Sequence, residues 1–115
     1  MKFEDLEVWK VSVALNISMY KETQKLRDYG FKDQITRSAL SIPSNIAEGF
    51  DRESNKETIH FLSIAKASCA ELRTQIIIGH GAAFLSNKFS VYAKNETLKI
   101  STMLKALIRA RKKFN

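Results

Sequence analysis

The segment from Phe31 to Arg52 carries two stripes at helical spacing, and it constrains the fold more than any other part of the chain. At about 100° per residue, six apolar side chains fall on one face of a helix. This apolar stripe consists of Phe31, Ile35, Ala39, Ile42, Ile46 and Phe50. A polar ladder lies beside it and consists of Gln34, Arg37, Ser41, Asn45, Glu48 and Arg52. The first stripe predicts a helix that faces a core, and the second predicts bonding to another helix or subunit.

The rest of the chain also favours helices. Only 4 Gly and 1 Pro occur in 115 residues, which is too few for the many turns of a β-rich fold. The length suits one domain, so we expect a single all-α domain over residues 1–115. Helices are predicted at about 5–25, 29–51, 54–84 and 87–113, and short links between them favour an antiparallel, up-down four-helix bundle.

Capping and breaking residues set the expected helix ends. Asp5 is a plausible N-cap for the first helix, and Ser54 with Glu57 fits a capping box for the third. Pro43 should either kink the second helix or divide it, because proline lacks an amide donor. That helix should end around Gly49 or Asp51, since glycine can adopt the left-handed conformation that stops helices.

The first helix carries more apolar surface than one core requires. One stripe comprises Leu6, Trp9, Val13, Ile17 and Tyr20. A second stripe, turned away from it, comprises Val8, Val11, Leu15 and Met19. We expect the second stripe to form a contact between subunits, since exposed apolar patches mark interfaces. The alternative is one wide core face within a single subunit.

The net charge of +7 is concentrated near the C-terminus. Residues 86–115 contain eight Lys or Arg and one acidic residue, Glu96. Clustered positive charge favours a polyanion, because binding releases condensed counterions. The candidate nucleic-acid-binding residues are Lys94, Lys105, Arg109, Arg111, Lys112 and Lys113. The alternative is a solvated face whose cations suit the helix macrodipole.

No pattern of catalytic or ligand-binding residues emerges from the chain. His60 and His80 would point to different sides even of one unbroken helix, so no shared metal site is expected, and Cys69 lies within an apolar stripe where a buried role is expected. We therefore expect no enzymatic activity, no cofactor and no metal. The sequence shows neither a signal peptide nor an apolar run of about 18 residues, so a cytoplasmic protein without membrane contact is expected.

Polar residues of the second and third helices are predicted to bond to one another. A buried amide or charge must be hydrogen bonded, or it destabilises the fold. We therefore expect a structural polar network that fixes the register of the two helices near Pro43, rather than a ligand or catalytic site. Its predicted members are Arg37, Asn45, Glu48, Ser68 and Glu71.

These motifs resemble one protein family over about three quarters of the chain. The matching segments are Phe3–Trp9, Gln34–Arg37, Ser41–Phe50 and Phe61–Ala65, together with Ser68, Glu71 and Leu72. In these segments the chain resembles the four-helix-bundle proteins encoded in intervening sequences of bacterial 23S rRNA genes. It departs from the family pattern at Ala67, where glycine is common, and at Thr36, where arginine or another polar residue is usual.

The resemblance implies a non-catalytic bundle that assembles as a ring, with five copies as the expected number. A related branch is similar to the accessory proteins of diversity-generating retroelements, which bind a reverse transcriptase and nucleic acid. We therefore expect a homo-oligomer that binds RNA or DNA, or that assists a reverse transcriptase or another nucleic-acid enzyme. The alternative is an oligomeric scaffold that binds only protein.

Overall fold

The computed structural model describes residues 2–114, which form four α-helices after a short 3-10 helix. The 3-10 helix is Phe3–Asp5, and the α-helices are α1 (Glu7–Thr23), α2 (Tyr29–Phe50), α3 (Asn55–Gly81) and α4 (Asn87–Lys112). Each helix packs against two neighbours in the cyclic order α1, α2, α3, α4. The start of each helix lies beside the end of its neighbour, as Asn55 does beside Arg111, so adjacent helices are antiparallel. The all-α prediction is confirmed.

The expected cap at Ser54 is confirmed, and α2 and α4 begin at caps of the same kind. Asp28, Ser54 and Ser86 each accept a hydrogen bond from the backbone amide three residues later, at 3.1 Å. These bonds satisfy amides that have no partner within the helix. The third helix ends at Gly81, three residues before the predicted end.

The expected cap of the first helix is wrong. Asp5 lies inside the 3-10 helix, and Leu6 occupies the N-cap position of α1 without a side-chain hydrogen bond. The amide of Leu6 is instead bonded to the carbonyl of Phe3 at 3.0 Å. The prediction failed because the chain makes an additional 3-10 turn before α1 begins.

Pro43 is buried within one continuous helix, so it does not divide α2. Gly49 also belongs to this helix, and no glycine among residues 2–114 has a positive φ, so its expected left-handed conformation is wrong. Its role is close packing instead. A Cβ at Gly49 would lie 3.0 Å from the Cβ of Phe61 and 3.2 Å from the carbonyl oxygen of Thr58. Gly49 therefore lets the end of α2 approach α3.

The core contains the apolar stripes of all four helices. From α2, Ile35, Ala39, Ile42 and Ile46 are buried, as the stripe predicts. The contribution of α1 differs from the expectation. Its buried apolar residues are Val8, Leu15 and Met19, and the half-buried Val11 packs against them. The predicted subunit contact through these four residues is therefore corrected, because they fill the core of the subunit itself.

The turn between α3 and α4 is closed by backbone hydrogen bonds. The amides of Phe84 and Leu85 both donate to the carbonyl of Gly79, at 2.8 and 3.1 Å. Ala83, with φ of 63°, adopts the left-handed conformation that glycine favours. A Cβ at Gly79 would lie 2.5 Å from Phe31, so this glycine lets α2 approach the turn.

Candidate nucleic-acid interface

A groove lined by cations runs between α3 and α4. It comprises two adjoining depressions of about 240 and 410 Å³, which share Lys66, Ile108 and Lys112. We call it the basic groove, and its charged lining residues are Lys66, Arg73, Lys105, Arg109 and Lys112. Neither lining contains an acidic or aromatic side chain. The groove can therefore attract an anion, but it offers no ring on which a base could stack.

The structure places three of the six predicted binding residues in this groove. Lys105, Arg109 and Lys112 line it. Lys94 is exposed on the same flank of α4 at helical spacing but does not line either depression. Lys113 is the exposed C-cap residue of α4.

Arg111 serves a different purpose. Its guanidinium lies 4.7 Å from the ring centroid of Phe50, and its Nη1 donates to the Oδ1 of Asn55 at 3.1 Å. Asn55 in turn donates from its Nδ2 to the carbonyl of Arg111 at 2.8 Å. These contacts join the end of α4 to α2 and α3, so the side chain of Arg111 is held within the bundle.

Lys66 and Arg73 were not predicted. Both lie on α3, within residues 51–85, which contain four basic and four acidic residues, so a count of charge along the chain gives no signal for them. Their helical positions do contain a signal. The spacing of seven residues places them on one flank of α3, beside the buried stripe that contains Cys69. Only the pairing of α3 with α4 reveals that the two groups of cations face one groove.

Arg73 is the least satisfied of these cations. Its Nη1 is buried and has no hydrogen-bond partner among the described residues. The same arginine acts electrostatically on the neighbouring Cys69. Burial raises the pKa of the Cys69 thiol to about 12, and the positive charge of Arg73 acts in the opposite direction. A guanidinium thus lies between the groove and the core.

The polar network between α2 and α3 contains three of its five predicted members. The Oγ of Ser38 donates to the Oε1 of Glu71 at 2.6 Å, and the hydroxyl oxygens of Ser41 and Ser68 are 2.9 Å apart. Asn45 donates from its Nδ2 to the carbonyl of Ser41 at 2.8 Å and to its Oγ at 3.0 Å. We call these five residues the polar network. Two hydrogen-bonded pairs therefore connect the helices.

Two predicted members lie outside this network. The Nε of Arg37 donates to Asp33 on its own helix at 3.0 Å, and Glu48 pairs with Arg52 on the same helix. Arg37 and Glu48 are exposed. Ser38 was missed as a member although it lies three residues before Ser41 on the same flank of α2.

The surface also carries exposed apolar side chains. Ile17 and Tyr20 of α1 are 50% and 46% exposed, and Leu40 of α2 is 45% exposed. We call these three residues the apolar face. A separate set on α3 and α4, comprising Ile77, Val91 and Leu98, is 52%, 54% and 49% exposed. We call it the second apolar surface.

Two further observations concern ligand and membrane binding. Within residues 2–114, no three His, Cys, Asp or Glu side chains are grouped as a metal site would require. None of the helices in this part of the chain combines the length and apolar character needed to cross a bilayer.

Comparisons with known proteins give a consistent result. A family model described as 23S rRNA-intervening sequence protein matches residues 4–106. No curated protein matches the chain. A crystal structure of a protein of unknown function from the S23 ribosomal protein family of Bacteroides thetaiotaomicron is similar, with a TM-score of 0.82 and 22% identity. The match covers 88% of this chain and 97% of that one. At this identity the likeness shows the fold alone.

Proposed function

The chain belongs to the 23S rRNA-intervening sequence protein family, and from this premise we propose that it is a non-enzymatic homo-oligomer that binds the phosphate backbone of RNA or DNA. The basic groove is the proposed contact. The observation that carries the proposal is the presence of cations from two helices along one groove whose lining contains no acidic residue. Without an internal counter-charge, these cations remain available to an external anion.

The character of the groove favours backbone recognition over base recognition. Lys and Arg bind phosphates independently of sequence, whereas specific recognition requires contacts to base edges, and single strands are held by stacking on aromatic rings. The groove lining offers cations and the hydroxyl groups of Ser63 and Ser101. We therefore propose binding with little sequence preference.

Assembly would strengthen such binding. The apolar face and the second apolar surface lie on different helix pairs, and a ring of identical chains joins two unlike surfaces of this kind. A ring, with five copies as the expected number, would present one basic groove per subunit to a single polyanion. Linked sites gain affinity through effective concentration. The same assembly could hold a nucleic-acid enzyme, such as a reverse transcriptase, close to its template.

A salt titration tests the binding proposal. The affinity of single-stranded and duplex RNA and DNA is measured against log salt for the wild type and for Lys105→Ala/Arg109→Ala/Lys112→Ala. The triple variant should lose a slope of about 0.7–0.9 for each phosphate contact removed. The matched control is Lys10→Ala/Lys25→Ala/Lys99→Ala, which removes the same charge from exposed positions outside the groove. Equal losses in the two variants would contradict groove binding.

Light scattering tests the assembly. Ile17→Asp/Leu40→Asp alters the apolar face, and Val91→Asp/Leu98→Asp alters the second apolar surface. Each variant alone should give a smaller assembly than the wild type, and their mixture should form a dimer through the one intact pair of surfaces. A wild-type monomer at micromolar concentration would contradict the homo-oligomer.

The exposed apolar surfaces also favour a second candidate, an oligomeric scaffold that binds only protein. In that case the cations would serve solubility. An assembled wild type that binds neither RNA nor DNA at low salt would support this scaffold and contradict the first proposal.

A further inference from the structure

The basic groove contains one cation that differs from the others. Lys105, Arg109 and Lys112 are exposed, so water solvates their charges when nothing is bound. Arg73 is half-buried, and its Nη1 is shielded from solvent without a partner. A buried donor that lacks an acceptor destabilises the folded state, and the effect is larger when the group is charged. The unpaired Nη1 of Arg73 therefore lowers the stability of the folded chain.

The surroundings of Arg73 define what could satisfy it. In the larger depression it shares the lining with Lys66 and Lys112 and with the hydroxyl-bearing Ser63 and Ser101. The volume of about 410 Å³ lies within the range of roughly 300–1,000 Å³ typical of ligand pockets. This lining supplies cationic and hydroxyl donors and contains no carboxylate. Such a set of donors suits an oxyanion that accepts several hydrogen bonds.

We infer that this depression is a phosphate subsite in which the Arg73 guanidinium, turned so that Nη1 reaches the depression, supplies the inner contact and Lys66 and Lys112 supply the outer ones. The inference rests on the proposed function where the phosphate belongs to a nucleic acid, and it extends to free phosphate. Guanidinium groups suit this role because their fixed donors can engage two phosphate oxygens at once. Because Arg73 is half-buried, its contact should be less weakened by salt than those of the exposed Lys66 and Lys112.

Thermal unfolding in phosphate and in chloride of equal ionic strength tests the subsite. Phosphate should raise the Tm of the wild type, because a ligand that binds only the folded state stabilises it. Arg73→Met should remove this rise and weaken phosphate binding by roughly ten-fold or more. In chloride, the same variant should have a higher Tm than the wild type, because it no longer buries an unpaired charge. If Arg73 instead only stabilised the fold, Arg73→Met would have a lower Tm than the wild type in chloride.

Two variants serve as controls. Lys99→Met removes one positive charge from an exposed position of α4 outside the groove, and it should keep the phosphate response. Arg73→Lys keeps the charge but loses the two-pronged contact, so its response should be intermediate. Oligonucleotides of one sequence, with and without a 5′-phosphate, then distinguish a terminal phosphate from a backbone phosphate. Equal affinities would assign the subsite to the backbone.

The outcomes separate the subsite from the proposed function. If Arg73→Met responds to phosphate as Lys99→Met does, the subsite is overturned, even where the groove triple variant abolishes RNA binding. If the wild type binds no nucleic acid but shows phosphate stabilisation that depends on Arg73, the proposed function is overturned and the subsite stands. If the wild type binds no nucleic acid and is not stabilised by phosphate, both the subsite and the proposed function are overturned.

Discussion

The polar side chains on the two sides of α3 differ in whether they have partners within the subunit. Toward α2, Ser68 and Glu71 bond to serines of the facing helix, so these polar groups are satisfied within the subunit. Toward α4, Lys66 and Arg73 line a groove without a carboxylate. A polar side chain satisfied inside the fold serves its architecture, whereas a cation left without a counter-charge is available for binding. The comparison indicates where to expect changes in stability and where to expect changes in binding.

Cys69 lies in the core between these two sides and provides the largest expected effect. Since its thiol pKa is raised from 9.0 to about 12, the reactive thiolate near neutral pH should be roughly 1000-fold scarcer than for an unperturbed thiol. Labelling by a thiol reagent should therefore be slow in the folded protein and fast in denaturant. Fast labelling of the native protein would mean that the helices on either side of Cys69 separate readily.

Overpacking the α2 side should have the next largest effect. Gly49→Val should destabilise the fold by about 1–3 kcal/mol, because its side chain would push against Phe61 and the backbone at Thr58. Denaturant unfolding measures the loss. Gly81→Ala is the contrasting control, since a Cβ at Gly81 meets nothing within 4 Å and alanine favours a helix. Unchanged stability of Gly49→Val would show that α2 and α3 can move apart without loss.

The hydrogen bond between Ser41 and Ser68 gives a moderate prediction. A double-mutant cycle with alanine at both positions should yield a coupling energy of about 0.5–1.5 kcal/mol. Glu48 and Ser68 serve as the control pair, because Glu48 pairs with Arg52 on its own helix and not with Ser68. Additive losses of stability at Ser41 and Ser68 would show that the bond between them does not stabilise the fold. The contrast with the groove side would then be lost.

The groove side should give the smallest change in stability. Lys105→Ala/Arg109→Ala/Lys112→Ala removes exposed cations, so unfolding free energy should change by within about 0.5 kcal/mol per position. Denaturant unfolding of this variant is compared with its salt-dependent nucleic-acid binding. A large loss of stability would remove the contrast between the two sides, because it would make these cations structural.

Sequence patterns predicted much of the fold. The apolar stripe of α2 and the capping box at Ser54 follow local rules, and local rules depend on neighbours a few residues away. Of the two stripes of α1, the one expected between subunits lies in the core, and Leu6 and Trp9 of the other stripe also pack against that core. Both have helical spacing, and only the packing against α2 and α4 places Leu15 inside and Ile17 outside. Periodicity alone contains no information about which neighbour a stripe meets.

The candidate site was predicted less well for the same reason. The cations of α4 were found because they cluster along the chain. Lys66 and Arg73 belong to a segment of neutral overall charge, and they join the groove only through the pairing of α3 with α4. Arg111 was counted among the binding residues because its charge is visible in the sequence, whereas its contact with Phe50 is not.

That contact has a consequence for limited proteolysis. Trypsin cleaves after Lys or Arg and requires a locally unfolded segment, which proteins supply most readily near their ends. Lys112 and Lys113 are exposed at the last turn of α4, but Arg111 is fastened over an aromatic ring and bonded to Asn55. Digestion should therefore trim the chain as far as Lys112 and then slow down, and the truncated product would keep the bundle closed.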